Sequence, residues 1–253
     1  QSNQPIHSED KRYVMTFNGE IYNFKELSSR ISKFTNKIAN SDTKVLIEYI
    51  STFGIKKTID DINGMFAIAV YDKKENFLYL ARDFFGKKPL YYFFDQNTFF
   101  FSSTLKPIIY NKNVPKKINS KSLNHFFNYG FCPSDYSIFE GMQQLLPNSI
   151  LTLNLNNWNL SISTNKKDQH NKYNNESFSF QKLEDIICDS VNKRLVTDVP
   201  KCLLLSSGVD SSLVSYFASK IDSQIQTFTV GFKEKFYDES EKSKKIANHF
   251  GLK

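Results

Sequence analysis

Cysteine, histidine and tryptophan are scarce in this 253-residue chain, at three, four and one copies. The cysteines, Cys132, Cys188 and Cys202, form no C-x-x-C pair, and the histidines form no H-x-x-x-H. Neither arrangement offers zinc-ligand spacing, so no protein-only metal site is expected. A sparse, odd cysteine count points to a reducing compartment, hence the cytoplasm. Cys188 and Cys202 sit in apolar segments and read as small core residues. Long apolar runs are also missing. A membrane helix needs roughly 20 apolar residues, and the aromatic-rich stretch from Phe77 to Phe94 is broken by Arg82, Asp83, Lys87 and Lys88. No signal-peptide pattern opens the chain. Nor is there a G-x-x-x-x-G-K-[ST] phosphate loop. The chain starts at Gln1 and stops at Lys253, and both ends read as cuts through a longer protein.

What is present is enough for a core: 40% of residues are hydrophobic and 15% aromatic, which excludes a disordered chain. The length suits two modest domains. The net charge of +7 raises nucleic acid or anionic lipid as partners. The lysines, however, are scattered among Asn, Ile and Phe. The densest basic stretch, Lys112 to Lys121, reads as a solvated loop. Neither nucleic acid nor membrane is therefore expected as a partner.

Tyr13 to Phe17 reads as a strand running into Asn18-Gly19, a strong turn dipeptide, with a helix from about Asn23 to Ile31. Asp42 precedes a helical segment whose Val45, Leu46, Tyr49, Ile50 and Phe53 share one face. Strands are expected at Met65–Tyr71, Phe77–Ala81, Leu90–Phe94 and Thr98–Ser102. Their close succession, with turns at Asp72-Lys73-Lys74 and Asp95-Gln96-Asn97, implies antiparallel sheet. The polar tract 164–177 is the linker candidate. Beyond it the texture changes. A helix over Phe180–Leu195 is followed by a strand at Cys202–Leu205 and a helix carrying Leu213, Val214 and Phe217. Ile225–Val230 is a further strand, and Asp238 with Glu241 resembles a capping box for a last helix. Helix–strand alternation implies a parallel α/β sheet. The reading is thus an α+β domain over 1–163, a linker over 164–177, and the start of an α/β domain over 178–253.

Two segments carry chemistry. In the first, Leu205-Ser206-Ser207-Gly208-Val209-Asp210-Ser211-Ser212 joins a strand to a helix. Backbone N–H groups and serine hydroxyls at a helix N-terminus favour an anion. Gly208 allows close backbone approach, and Asp210 makes sense through a Mg²⁺ ion bridging phosphates. An ordinary Ser/Asp helix cap reads equally well from spacing alone. The second segment is Asn18-Gly19-Glu20-Ile21-Tyr22-Asn23. Here the Asn18 amide and the Gly19 N–H can stabilise an oxyanion during amide hydrolysis. Glu20 and Asp42 can hold the ammonium of a bound amino acid. Taken alone, a hairpin without chemistry and a helix-initiating Asp42 fit these residues better.

The first segment resembles the S-G-G-x-D-S-S loop of the ATP pyrophosphatases, with Ser207 in place of a glycine. Leu195 to Pro200 resembles that family's lead-in to the loop. Phe228-Thr229-Val230-Gly231-Phe232 resembles its next strand, where backbone near Val230 meets adenine, and Asp238-Glu239-Ser240 resembles the D-E-S that opens the following helix. The second segment matches the N-G-E-I-Y-N of class II glutamine amidotransferase domains in asparagine synthetases. Ser41-Asp42, the Gly64–Asp72 strand, Arg82-Asp83 with Gly86, Lys88 and Pro89, and Phe139-Glu140-Gly141 with Leu146-Pro147 follow in that family's order. Thr104 departs from it, replacing a usual Glu, while Lys106 is retained. The chain is therefore identified as similar to the glutamine-hydrolysing asparagine synthetases.

This resemblance implies an N-terminal-nucleophile type glutaminase fold, layered αββα, followed by an α/β ATP-pyrophosphatase domain. It implies a glutamine site at Asn18, Gly19, Glu20 and Asp42. It implies an ATP site at Leu205, Ser206, Ser207, Gly208, Asp210, Ser211, Ser212 and Val230, with Mg²⁺ on Asp210. The reaction implied is asparagine formation from aspartate, with glutamine as nitrogen donor and ATP cleaved to AMP and pyrophosphate. A homodimer is compatible with it. The family's nucleophile is an N-terminal cysteine whose α-amino group acts as the base. Residue 1 here is Gln, and the internal Cys132 does not take that role. The R-H-R-G-P-D segment expected upstream is absent too, so this stretch alone is expected to catalyse neither half-reaction well. The rivals are a related enzyme acting on another carboxylate, such as a surface-polysaccharide sugar acid or a β-lactam precursor, and a catalytically inactive binding module.

Overall fold

The computed structural model describes residues 3–34, 41–133, 136–164, 179–197 and 199–253. The chain divides into two compact units, Gln1–Lys167 and Asp168–Lys253.

In the first unit the elements run β1 (Ile6–His7), β2 (Tyr13–Ile21), α1 (Phe24–Ile31), α2 (Asp42–Phe53), α3 (Ile55–Asp61), β3 (Gly64–Asp72) and β4 (Phe77–Arg82). They continue with β5 (Tyr91–Phe94), β6 (Phe99–Ser102), α4 (Leu105–Ile109), α5 (Ser120–Tyr129), β7 (Met142–Gln144), β8 (Ser149–Asn154) and β9 (Asn159–Thr164). A six-stranded sheet has the order β1-β2-β3-β4-β8-β9, and a three-stranded sheet the order β6-β5-β7. Every pairing in both is antiparallel.

The layering follows from which side chains alternate to which face. Tyr13, Met15, Phe17 and Ile21 of β2 point to one side and pack with Leu27 and Ile31 of α1 and Val45, Leu46, Tyr49 and Ile50 of α2. On the other face Ala67, Ala69, Leu80, Leu151 and Leu153 meet Leu90, Tyr92 and Leu145. Beyond the small sheet, Phe93 and Met142 pack on Ile108 of α4 and on Val114. The unit is therefore α+β, layered αββα. Being covered on both faces explains the unbroken apolar run of β3.

Several expectations are corrected. Asn18-Gly19 makes no turn: β2 runs straight through it, with Asn18 opposite Ala67 and Gly19 opposite Phe66. Gly19 is there for space rather than for left-handed backbone. A Cβ on it would overlap the Met65 carbonyl oxygen and come within 2.7 Å of the Phe66 Cα. The basic stretch Lys112–Lys121 is irregular only as far as Asn119. Ile118 bridges to Phe139, and Ser120 and Lys121 begin α5. Thr164, placed in the linker by sequence, is the last residue of β9 and pairs with Ser149. The rest of the linker candidate, 165–177, lies outside the described residues. The strands β1, β7, β8 and β9 and the helices α3, α4 and α5 are additions to the elements expected from sequence.

The second unit contains α6 (Phe180–Arg194), β10 (Cys202–Leu204), α7 (Val209–Ile221), β11 (Gln226–Phe228) and α8 (Ser240–His249). Its two strands are parallel, so the unit is α/β. Leu203, Leu205, Ile225, Ile246, Ala247 and Leu252 form one small core, and Val191, Phe217 and Ala218 another. Cys188 is half-buried, but Cys202 is exposed, because along β10 it is Leu203 that turns inward. The capping box is also corrected. Glu239, not Asp238, occupies the N-cap position of α8. Asp238 Oδ1 instead accepts from the Ser240 N–H at 3.2 Å, the Ser240 hydroxyl at 2.5 Å and the Phe232 N–H at 3.3 Å. Among the described residues no helix is long and apolar enough to cross a membrane, and no cluster of three or more His, Cys, Asp or Glu could hold a metal ion.

Candidate active sites

The first site is built on the end of β2. Alternation turns Phe17 and Ile21 into the helix-facing core, so Asn18 and Glu20 face the small sheet. The Asn18 amide donates to the Ser103 hydroxyl at 3.2 Å, just beyond the end of β6. A cleft of about 260 Å³ opens here, lined by residues including Gln4, Thr16, Asn18, Leu90, Phe101, Ser102 and Ser103. Gln4 brackets the same strand: its amide donates to the Phe17 carbonyl at 2.8 Å and accepts from the Phe17 N–H at 2.7 Å.

Asp42 is the first residue of α2, with Ser41 as its N-cap. Its carboxylate accepts from the Ile21 N–H at 3.2 Å and from the Thr43 N–H at 2.6 Å. Asp42 thus starts its helix and also fastens it to the strand that carries Asn18, Gly19 and Glu20. Asn18, Gly19 and Glu20 follow one another on β2 and Asp42 bonds to the next residue, so the four lie at one strand end, and of them Asn18 lines the cleft. Ser103 is the contact that sequence reasoning missed. Its only signal was the serine in Phe101-Ser102-Ser103-Thr104, to which no role was attached. Thr104 itself is the N-cap of α4, and its side chain makes no capping bond.

Behind the cleft lies a loop held by two buried charges. Asp83 accepts from the N–H groups of Phe66, Phe85, Lys87 and Lys88 at 2.9–3.2 Å. Arg82 donates to the carbonyls of Lys88, Leu145 and Gly86 at 2.6–2.8 Å. Burial lowers the Arg82 pKa, with the neighbouring Asp83 opposing it. These side chains replace the hydrogen bonds that an irregular buried segment cannot make with itself.

The second site is the turn from β10 into α7. Leu205 is a core residue whose N–H and carbonyl are spent inside the unit, on the Phe228 carbonyl at 2.9 Å and the Thr229 hydroxyl at 2.8 Å. After it the loop is exposed and knitted by serine hydroxyls. The Ser206 and Ser211 hydroxyls lie 2.7 Å apart, and the Ser212 hydroxyl donates to the Gly208 carbonyl at 2.7 Å. Gly208 is the N-cap of α7 in extended backbone. Ser207 is not among the residues with positive φ, so its substitution for glycine brings no backbone strain. The N–H groups of Val209, Asp210 and Ser211 open the helix and have no partner within it. Asp210 lies in the first turn, exposed, and Val230 is exposed two residues beyond β11. One bond was not foreseen: the Ser207 N–H donates to the Glu239 carboxylate at 2.9 Å.

A layered αββα unit with an Asn-Gly pair on the second strand of its large sheet points to the class, a glutamine amidotransferase domain. Comparison agrees: residues 1–164 match the family described as glutamine amidotransferase domain, and residues 182–253 match asparagine synthase. The chain belongs to the glutamine amidotransferase domain family. It is 31% identical to asparagine synthetase [glutamine-hydrolyzing] 1 of Bacillus subtilis strain 168, over 98% of this chain and 39% of that protein. With asparagine synthetase [glutamine-hydrolyzing] 2 of the same strain it shares 32% identity, over 94% of this chain and 33% of the other. The chain thus spans well under half the length of these relatives. Among solved structures, glutamine phosphoribosylpyrophosphate amidotransferase from B. subtilis aligns over 91% of this chain and 49% of its own, at 13% identity and a TM-score of 0.43.

Proposed function

We propose that this chain is part of an enzyme that makes asparagine from aspartate, taking nitrogen from glutamine and energy from ATP. The observation that carries this is the pairing, in one chain, of an amidotransferase unit with the opening of an asparagine synthase unit. In the first unit, the Asn18 amide and Gly19 N–H stabilise the oxyanion formed as the glutamine amide is cleaved. Glu20 and Asp42 hold the amino-acid ammonium. Ser103 steadies the Asn18 amide from the facing sheet.

In the second unit the loop from Ser206 to Ser212 receives the pyrophosphate portion of ATP, with Val230 beside the adenine. Mg²⁺ binds through one or two carboxylates and completes its shell with phosphate oxygens and water. The exposed Asp210, in the first turn of α7, fits that pattern, and the ion would offset phosphate charge there. The aspartate β-carboxylate is activated as an acyl-adenylate, and ammonia displaces AMP.

The test is made on the whole protein. With glutamine, aspartate and Mg·ATP it forms asparagine, glutamate, AMP and pyrophosphate in equal amounts. Turnover that ignores aspartate but responds to another carboxylate would reassign the acceptor. ADP with orthophosphate as products would sink the proposal.

A further inference from the structure

Glu239 lies on the turn before α8, yet its carboxylate reaches the Ser207 N–H, the first donor of the phosphate loop not consumed within the loop itself. The other early N–H groups are satisfied locally: Ser206 N–H on the Ser211 hydroxyl at 3.3 Å and Gly208 N–H on the Ser206 hydroxyl at 3.2 Å. We infer that Glu239 is a built-in anion that occupies the loop's anion site until a phosphate displaces it. The inference rests on reading the loop as a phosphate site.

The placement is held from both sides. The Leu205 N–H bonds to the Phe228 carbonyl, and the Thr229 hydroxyl to the Leu205 carbonyl, so the loop is tied to the end of β11. The segment leaving β11 is tied in turn to the turn bearing Glu239, through Asp238 and the Phe232 N–H. Gly231 closes that return against the same turn: a Cβ there would stand 3.0 Å from the Ser240 hydroxyl and 3.6 Å from Asp238 Oδ1. Thus an exposed side chain on a fastened turn sets a carboxylate on an N–H that an incoming phosphate oxygen would take. The two anions cannot share that donor, and like charges a few ångströms apart repel. Phosphate entry therefore requires Glu239 to swing out to solvent, which costs affinity and slows entry.

The experiment titrates inorganic pyrophosphate, then Mg·ATP, into the full 253-residue chain by calorimetry, comparing wild type with Glu239→Gln and Glu239→Ala. The exposed position lets both variants fold, checked by their thermal melts. Removing one unit of repulsion across about 4 Å in a largely aqueous setting corresponds to roughly fivefold tighter binding. Expected is a gain of about that size in Glu239→Gln and at least as much in Glu239→Ala; binding by the variants where wild type shows none supports the inference equally. Wild-type binding that is matched or weakened in both variants overturns it and leaves the loop as a phosphate site. Absence of binding in all three removes the phosphate reading itself, and this inference with it.

Discussion

The space a Gly19 side chain would need is filled by the backbone of β3, so its replacement is a packing question before it is a catalytic one. A methyl group there would overlap the Met65 carbonyl oxygen on the neighbouring strand, and main-chain atoms in the middle of a sheet cannot rotate away. Gly19→Ala should therefore cost about 3 kcal/mol, the upper end for overpacking a core, read as a fall in the urea midpoint. A drop under half that size would mean that β2 and β3 separate easily at this point. Asp83 poses the opposite problem, a buried charge made tolerable by backbone donors. In Asp83→Ala four N–H groups lose their acceptor and the buried Arg82 loses its neighbouring negative charge. A loss of about 3–5 kcal/mol is expected, as when one partner of a buried charged cluster is removed. Chemical denaturation measures it, and a neutral result would show that water replaces the carboxylate.

At the level of elements, the β2–β3 pairing is closed at one end by an ion pair. Arg12, just before β2, donates to both oxygens of Asp72 at 2.9 and 2.7 Å, and the N–H groups of Lys74 and Glu75 add to the same carboxylate. Burial pushes the Asp72 pKa up, but these donors outweigh it and hold the group below its ordinary value. A depressed carboxylate stabilises the fold above its unfolded pKa, roughly 3.9, and loses that contribution as pH falls through the folded value. Acid unfolding should therefore steepen below about pH 4, and Asp72→Asn should flatten that limb of a stability-versus-pH curve. Beside it, burial raises the Tyr13 pKa to about 12. That contribution is complete below the ordinary tyrosine value of about 10 and is lost as pH climbs toward the folded value. Phenolate absorbance should accordingly appear late in native protein and at once on unfolding. The same scale shows what sequence could reveal. The helical face of α2 and the strands β3 to β6 were legible because one periodicity dominated each. Asn18-Gly19 misled because its dipeptide preference is local, whereas the glycine answers to a strand 46 residues away in sequence, between Gly19 and Met65. β8 and β9 carry an alternating signal in Ser149–Asn154 and Asn159–Thr164, which their polar neighbours mask. At the candidate site, Asn18, Glu20 and Asp42 are pointed to by resemblance; the Ser103 and Glu239 contacts are visible only in three-dimensional packing.

Across the whole chain the two units differ in how much they bury. Among the described residues the first has three apolar clusters. The second relies on two small ones, and Leu204, Val209, Phe228 and Phe236 stay exposed. Small units with little buried surface are marginal. Urea should therefore unfold the chain in two steps, the second unit at the lower concentration and with the smaller slope. Tryptophan fluorescence from Trp158, in the first unit, should follow only the later step, while far-ultraviolet dichroism follows both. A single coincident transition would contradict this. The change of texture beyond the polar tract made the two architectures readable in the sequence; the weakness of the second core was not, because exposure depends on neighbours that composition does not reveal.

The bracket of Gln4 around Phe17 has a consequence for the outer margin of the large sheet. β1 is short, and Pro5 just before it has no N–H to offer a partner. Beyond it β2 would present a bare donor and acceptor at Phe17, the kind of open margin along which chains join to one another and aggregate. The Gln4 amide fills both positions at once, a side chain imitating one rung of strand. Both main-chain groups of Phe17 are thereby satisfied beside the cleft that Asn18 lines.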